Sequence, residues 1–291
     1  MVRRVGIIGL AVSIGVVYVH LARAVVSDPA PELVERGYAH LGQARLEAES
    51  ATHERLLTMA IAAFKEAYQA EPPDPLSQVH ALLGAAQAHL LVQSPRRVFP
   101  FLWQATPLQR AEKSLQQALV LQPDNAAAAL LLGIVYWRQA AQAAGQQRDV
   151  LERSTYYLTQ AAALGLPIAL APPLGWHDSP VKWFSVDDTI ATLRYVDARG
   201  VGRMEDLLFV YRSSASAPLY GVVVTGRRAH PLTLDIATGA LVPDGLLESI
   251  TTIPQPGQQP ILVLRLQQGT PAQDLRFTWD GTRFVPLPPL P

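Results

Sequence analysis

The 291-residue sequence contains no cysteine, and this absence excludes a whole class of chemistry. Without cysteine the chain has no disulfides, thiolate zinc sites, iron–sulfur clusters or cysteine nucleophiles. Charge is sparse as well: 16% of the residues are charged, and 24 basic side chains balance 24 acidic ones. No stretch has the basic excess that binding to a phosphate backbone requires, so we expect no nucleic-acid partner. The 49% share of hydrophobic residues argues against a disordered chain.

Recognisable catalytic motifs are missing too. The seven histidines include no H-x-x-x-H or H-E-x-x-H spacing, and there is no G-x-S-x-G, P-loop or G-x-G-x-x-G motif. His177, Asp178 and Ser179 are consecutive, and adjacent residues do not form a nucleophile–base relay by themselves. We therefore predict a protein that is not an enzyme and that has no metal or cofactor. A site assembled from residues distant in sequence is the alternative that motifs do not address.

Residues 1–27 form the most apolar segment. Arg3 and Arg4 precede the run Val5–Val19, which is broken by Ser13 alone. Extending the run through Ala22 approaches the length of about 20 residues that a helix needs to cross a bilayer. The two arginines predict a cytoplasmic N-terminus.

Three interpretations of this segment are open. An uncleaved signal anchor, retained to about Val26, predicts a single-pass protein of the bacterial inner membrane with the rest of the chain in the periplasm. A signal peptide cleaved near Ala24, in the sequence Ala22-Arg23-Ala24, predicts a soluble periplasmic protein. A buried core helix is the third interpretation. The anchor is the one that we favour.

Residues 28–167 have apolar residues at helical spacing and an internal repeat. The repeat consists of a small residue, a large residue four positions later, a small residue after three more, and then a proline. Its copies are Ala60, Phe64, Ala67 and Pro72; Ala111, Leu115, Ala118 and Pro123; and Ser154, Leu158, Ala161 and Pro167. A leucine–glycine pair lies upstream of each copy, at Leu41-Gly42, Leu83-Gly84 and Leu132-Gly133. Such small residues permit close helix packing, and proline ends a helix.

This pattern resembles the tetratricopeptide repeat (TPR) family over about residues 32–167. The resemblance implies an α-solenoid of three helical hairpins whose inner face binds extended peptides or other proteins. Arg138 is predicted to lie on that face. The lysine and asparagine set with which some members clamp a terminal carboxylate is missing, so we expect no carboxylate clamp.

Each predicted hairpin is longer than a regular repeat, and the second contains a notable insertion. Two arginines and three aromatic residues lie close together within it: Arg96, Arg97, Phe99, Phe101 and Trp103. Arginine with aromatic residues is typical of the centre of a protein interface, so we predict that this cluster contacts a partner. Its alternative interpretation is a lid packed on the solenoid.

A proline-rich but apolar linker at residues 168–180 precedes a change of pattern. From residue 181 to 291 short apolar runs alternate with glycine, proline and aspartate clusters, which predicts an antiparallel all-β domain, either a sandwich, a barrel or a propeller-like fragment. The predicted strands are Val181–Val186, Ile190–Val196, Asp206–Arg212, Tyr220–Thr225, Pro231–Ile236, Leu246–Ile253, Ile261–Gln267, Asp274–Trp279 and Arg283–Leu287. Asp280-Gly281 predicts the last hairpin turn.

One loop of this domain is similar to the calcium loop of FG-GAP-like bacterial β-repeat domains. The stretch Asp197–Asp206 keeps the first aspartate, the two glycines and Glu205, but Arg199 and Val201 replace two acidic ligands. Calcium requires six to eight oxygen ligands with enough negative charge. We therefore expect a turn without a bound ion.

The predicted fold is thus an α+β multidomain chain: a signal or anchor helix, a TPR-like α-solenoid and an antiparallel β domain. The predicted function is a membrane-anchored, non-enzymatic scaffold or assembly subunit that binds another envelope or membrane protein complex. The alternative is a periplasmic binding protein that recognises glycan or peptide through its β domain.

Overall fold

The chain has an α+β fold, with a helical N-terminal part and a C-terminal part made of two antiparallel sheets. The structure is a computed structural model that describes residues 30–92, 105–142, 147–169, 183–214, 217–235, 239–241, 246–255, 258–267 and 272–288. The predicted N-terminal helix at residues 1–27, the arginine–aromatic insertion and most of the linker lie outside the described residues.

The described residues of the helical part form six helices. They are α1 (Ala30–Leu46), α2 (Ser50–Tyr68), α3 (Pro75–Leu91), α4 (Pro107–Leu121), α5 (Ala126–Gln142) and α6 (Gln147–Ala163). Local sequence determines several of their ends. The Asp74 side chain accepts backbone hydrogen bonds at the start of α3, and Asn125 Oδ1 accepts the Ala128 N–H at the start of α5. Gly165, with φ of 99°, ends α6 in the left-handed region.

Successive helices pack through glycines that face large side chains. A Cβ atom on Gly84 would lie 2.2 Å from the Phe64 ring, and one on Gly133 would lie 2.6 Å from Leu158 Cγ. These contacts join α2 to α3 and α5 to α6, and they agree with the close packing that the repeat predicts. In the first pair, however, Gly37 and not Gly42 faces Phe64; a Cβ on Gly42 would lie 3.4 Å from the backbone oxygen of Glu248.

The described residues of the C-terminal part form eight strands in two four-stranded sheets. The first sheet has β1 (Thr189–Val196), β2 (Asp206–Arg212), β3 (Tyr220–Thr225) and β4 (Arg228–Leu232) in sequential order, and the second has β5 (Leu246–Gln255), β6 (Gln258–Gln267), β7 (Gln273–Trp279) and β8 (Phe284–Leu287) in sequential order. Both sheets are antiparallel meanders.

Most predicted strands coincide with observed ones, and two do not. Within the described part of Val181–Val186, Phe184 makes a single parallel bridge to Ile168, so this segment joins the end of the helices to the first sheet. The strand predicted at Pro231–Ile236 is β4, which lies earlier because it pairs with β3 across the tight turn at Gly226. The turn predicted at Asp280 connects β7 to β8, and its carboxylate accepts the backbone N–H of Arg283 at 2.8 Å.

The molecule has three layers, because the first sheet is buried on both faces. Phe209 and Tyr211 of β2 share a hydrophobic cluster with α3, α4, α5 and α6. The alternate residues Leu208 and Val210 share a second cluster with the inner face of the second sheet. The strand periodicity of two therefore places one set of side chains against the helices and the other against the second sheet.

Candidate partner-binding surface

The residues predicted to contact a partner fall into two groups. Five of them, Arg96, Arg97, Phe99, Phe101 and Trp103, lie outside the described residues, so their role stays a prediction. Arg138 is exposed on α5, and its Nη1 donates to the carbonyl oxygen of Leu90 at 2.9 Å. This bond holds α5 against the last turn of α3, so the observed contact of Arg138 is internal.

The inner face of the helical array is covered by the first sheet. Every residue of α5 from Ala126 to Tyr136 is buried, and α5 packs mainly against α4, α6 and part of α3 among the described helices. The rest of its surface belongs to the cluster that contains Phe209, Tyr211 and Val222 of the sheet. The chain's own sheet therefore occupies the buried part of the surface on which the TPR resemblance places peptide binding, whereas Arg138 near the end of α5 is exposed.

Polar side chains of the helices donate hydrogen bonds to backbone carbonyl oxygens at the free edge of β1. Arg45 Nη1 donates to the carbonyl oxygen of Ala191, and Gln87 Nε2 donates to that of Leu193 at 2.7 Å. Arg45 Nη2 also donates to Gln87 Oε1 at 3.1 Å, so the two side chains act together. Burial lowers the pKa of Arg45 to about 10, a value that still leaves it charged at neutral pH. The edge strand is thus closed by α1 and α3.

A second polar group lies beside this edge. Arg194 of β1 forms an ion pair with Glu35, and its guanidinium carbon lies 4.8 Å from the centre of the Tyr38 ring. The His80 ring stacks on Tyr195 at 5.0 Å between ring centres. Burial, with a smaller effect of the Arg194 charge, lowers the pKa of His80 to about 4, and Asp74 opposes this shift. His80 is therefore a neutral packing residue at physiological pH.

Two cavities flank these contacts. One of about 350 Å³ lies among the α1–α2 connection, the end of α3 and the start of β1, and it is lined by Arg45, His53, Leu91 and Arg212 among others. Its neighbour of about 290 Å³ shares Arg45 with it and extends along β5. His53 Nδ1 lies 2.7 Å from the carbonyl oxygen of Ala44, which only accepts, so this nitrogen carries the proton. Together the two cavities combine apolar walls with a few polar groups.

A larger groove of about 950 Å³ lies between the ends of the helices and the first sheet, and we call it the helix-end groove. Its helical side is lined by the starts of α3 and α5, the end of α4 and the residues after α6, including Leu76, Leu121 and Asp124. Its sheet side includes Tyr195 and three arginines, Arg199, Arg203 and Arg227. Leu76 is 37% exposed and Leu121 45% exposed. The groove thus combines exposed apolar side chains with cationic ones.

The loop that resembles a calcium site forms part of this groove. The two carboxylate oxygens of Asp197 accept the backbone N–H groups of Val201 at 2.8 Å and Gly202 at 2.9 Å. Arg199 Nε donates to Asp206 Oδ1 at 2.8 Å. The carboxylates of the loop therefore accept hydrogen bonds from the loop's own backbone N–H groups and from Arg199. Across the described residues no group of three or more histidine, aspartate or glutamate side chains is placed to hold a metal ion.

No sequence motif marks the helix-end groove, although the positions of its arginines in the sequence give a signal for it. The β1–β2 and β3–β4 connections lie at the same end of an antiparallel meander, and both contain glycine next to arginine, at Arg199-Gly200 and at Gly226-Arg227. Topology alone therefore brings these arginines together. The helical side of the groove, by contrast, depends on how the helices pack on the sheet.

Comparison with known proteins adds no assignment: no family model, curated protein or solved structure matches the chain. Among the described helices, none is both long enough and apolar enough to cross a bilayer.

Proposed function

We propose that this protein is a non-enzymatic scaffold or assembly subunit that binds another protein of an envelope or membrane complex. The helix-end groove is the observation that carries this proposal, because Leu76 and Leu121 are exposed there beside three arginines. Apolar side chains with arginine are the typical composition of a protein-binding surface.

The helical part is proposed to be a TPR-like solenoid. Support comes from the contacts of Phe64 with Gly84 and of Leu158 with Gly133, which pair a large repeat residue with a helix glycine. Because the first sheet covers the inner face, a partner binds elsewhere, at the ends of the helices or at the insertion that contains Arg96 and Trp103.

The N-terminal segment is proposed to stay attached and to hold the scaffold at the outer side of the bacterial inner membrane. Tethering raises the local concentration of the scaffold near a membrane partner. Intact-mass analysis of the natively expressed protein tests retention. A species that begins at Met1 in the membrane fraction is expected, and a soluble species that begins at Val25 would contradict it.

Affinity purification of the full-length chain from detergent extracts tests the scaffold proposal. Stoichiometric recovery of the subunits of a membrane or envelope complex is expected. The matched control is a chain in which an equally long unrelated anchor replaces residues 1–27. Proteins that this control also recovers bind through the rest of the molecule and not through residues 1–27. Recovery of no protein in defined stoichiometry would contradict the proposal.

A second candidate function is the binding of a glycan or peptide through the β domain. The cavity of about 350 Å³ beside Arg45 and Arg212 favours it, since its size lies within the range of small-molecule sites. Retention on purified cell-wall fragments, with no protein partner in the purification above, would support this candidate over the scaffold.

A further inference from the structure

The helix-end groove has cationic side chains beside its exposed apolar ones. We propose that it binds a partner segment in which apolar side chains are combined with carboxylates, so that the carboxylates pair with Arg199 and Arg227. This inference rests on the proposed scaffold function and specifies the chemistry of the partner.

Arg199 is held ready to bind an anion. Its Nε donates to Asp206 Oδ1 at 2.8 Å, its backbone N–H donates to Asp206 Oδ2 at 3.1 Å, and the Asp206 side chain is completely buried. No described residue bonds to the two Nη nitrogens of Arg199, and its side chain is 30% exposed. A planar guanidinium that is fixed at one edge keeps its other donors oriented towards a carboxylate.

Arg227 is fixed through its backbone. A Cβ on Gly165, after α6, would lie 2.6 Å from the carbonyl oxygen of Arg227, so the β3–β4 turn packs directly on the end of the helix. The Arg227 side chain is exposed, and no acidic side chain among the described residues pairs with it. Its position is therefore set by the fold while its charge stays available for a partner.

The opposite side of the groove is mainly apolar. Leu76 and Leu121 are exposed there, and the buried Val79 continues the surface inwards. Asp124 is the acidic side chain on this side, and Glu205 on the sheet side pairs with Arg203 at 3.4 Å. Carboxylates of a bound segment are therefore directed away from Asp124 and towards Arg199 and Arg227. A bound segment with an apolar edge towards the helices and an acidic edge towards the sheet therefore complements both sides of the groove.

The groove lies at the end of the helical array at which the odd-numbered helices begin. Starts of α3 and α5 meet the end of α4 in the groove, so the odd-numbered helices begin at this end of the array. α1 begins there as well, at Ala30, eleven residues after the apolar run Val5–Val19. Eleven extended residues span at most about 40 Å, so an anchored chain holds Ala30, at the start of α1, within that distance of the bilayer. The occupant is accordingly a segment of a membrane partner close to the bilayer surface.

Peptide selection on the full-length chain, kept in detergent, tests the chemistry directly. Random peptides selected for binding are expected to be enriched in aspartate and glutamate together with leucine, isoleucine or phenylalanine. Against a synthesised selected peptide, Arg227→Glu and Leu121→Ser should each weaken binding at least about tenfold.

Two neighbouring residues provide matched controls. Arg228 and Val120 are exposed and adjacent to Arg227 and Leu121, but they do not line the groove. Arg228→Glu and Val120→Ser should change the affinity by less than about twofold, since neither side chain lines the groove. All four changes are at exposed positions, so circular dichroism should show an intact fold.

Several results would overturn the inference. Selected peptides without acidic enrichment, or equal losses for the groove variants and their controls, would place binding elsewhere. Binding of anionic lipid vesicles that Arg227→Glu abolishes, without any peptide selected, would assign the groove to a lipid surface. If the affinity purification recovers a partner whose binding Arg227→Glu leaves unchanged, the scaffold proposal stands and the groove assignment fails. If no partner is recovered but acidic apolar peptides bind the groove, the scaffold proposal fails and the groove assignment stands.

Discussion

Phe64 of α2 packs against Gly84 of α3 so closely that a Cβ on the glycine would lie 2.2 Å from the ring. The phenylalanine is completely buried, and the same ring would meet a Cβ on Gly37 of α1 at 2.5 Å. One side chain thus fixes the spacing of three helices. Its position explains why two glycines, each unfavourable in a helix interior by about 1 kcal/mol, are used here.

Gly84→Ala is expected to lower the free energy of unfolding by about 2 kcal/mol, because the ring and the helix backbone must separate. Gly42→Ala is the matched control: its Cβ would make an ordinary contact at 3.4 Å, and helix propensity favours alanine. Chemical denaturation of both variants measures the difference. A Gly84→Ala protein as stable as the Gly42→Ala protein would contradict the packing described here.

The sequence predicted the parts of the fold that depend on local periodicity. The α+β order is confirmed, and strands such as Asp206–Arg212 and Tyr220–Thr225 coincide with β2 and β3, because short apolar runs between glycine-containing turns are encoded locally. Gly42 is a case in which local periodicity does not predict the packing. The repeated leucine–glycine pair points to Gly42, yet Gly37 is the residue that contacts Phe64. Which face of α1 points inwards depends on its contact with β5, and no local pattern encodes that contact.

Less of the candidate site than of the fold could be predicted from the sequence. Arg199 and Arg227 lie in two separate turns, and Leu76 and Leu121 lie at two helix ends that meet only in the folded molecule. An inward-facing role for Arg138 followed from the TPR resemblance, but this residue bonds to the carbonyl oxygen of Leu90. The covering of the inner face by the first sheet depends on contacts between residues about a hundred positions apart, such as Gln87 and Leu193.

Gln87→Leu is expected to lower the free energy of unfolding by about 2 kcal/mol. The change leaves the buried carbonyl oxygen of Leu193 without its donor, and it removes the acceptor of Arg45 Nη2. Gln43→Leu on the exposed side of α1 should change stability by less than about 0.5 kcal/mol. Urea denaturation measures both values, and equal effects of the two substitutions would show that the edge of β1 does not need this donor.

Arg199→Leu is expected to destabilise the protein by about 3 kcal/mol, because it leaves the buried Asp206 carboxylate without its cation. Burial already raises the pKa of Asp206, and the Arg199 charge opposes that shift. Arg203→Leu removes an exposed pair with Glu205 at 3.4 Å and should cost less than about 1 kcal/mol.

The double variant Arg199→Leu/Asp206→Asn distinguishes a charge effect from lost packing. Asparagine keeps an oxygen that accepts the Arg199 backbone N–H but carries no charge. Thermal denaturation should therefore show the double variant to be more stable than Arg199→Leu alone. If the second change lowers the midpoint further, the unpaired charge is not the cause.

Acidification should destabilise the protein partly through His80. Burial lowers the pKa of this side chain to about 4 in the folded state, against 6.5 for the unfolded chain. As the pH falls below 6.5 the unfolded state binds a proton that the folded state excludes, so stability decreases until the pH reaches about 4. At 1.36 kcal/mol per pKa unit, the loss is about 3 kcal/mol over this range. His80→Gln should flatten the urea-denaturation profile between these limits, and His89→Gln, whose pKa burial also lowers to about 4, should flatten it as well. A His80→Gln profile parallel to that of the unchanged protein would show that His80 takes up its proton in the folded state as readily as in the unfolded chain.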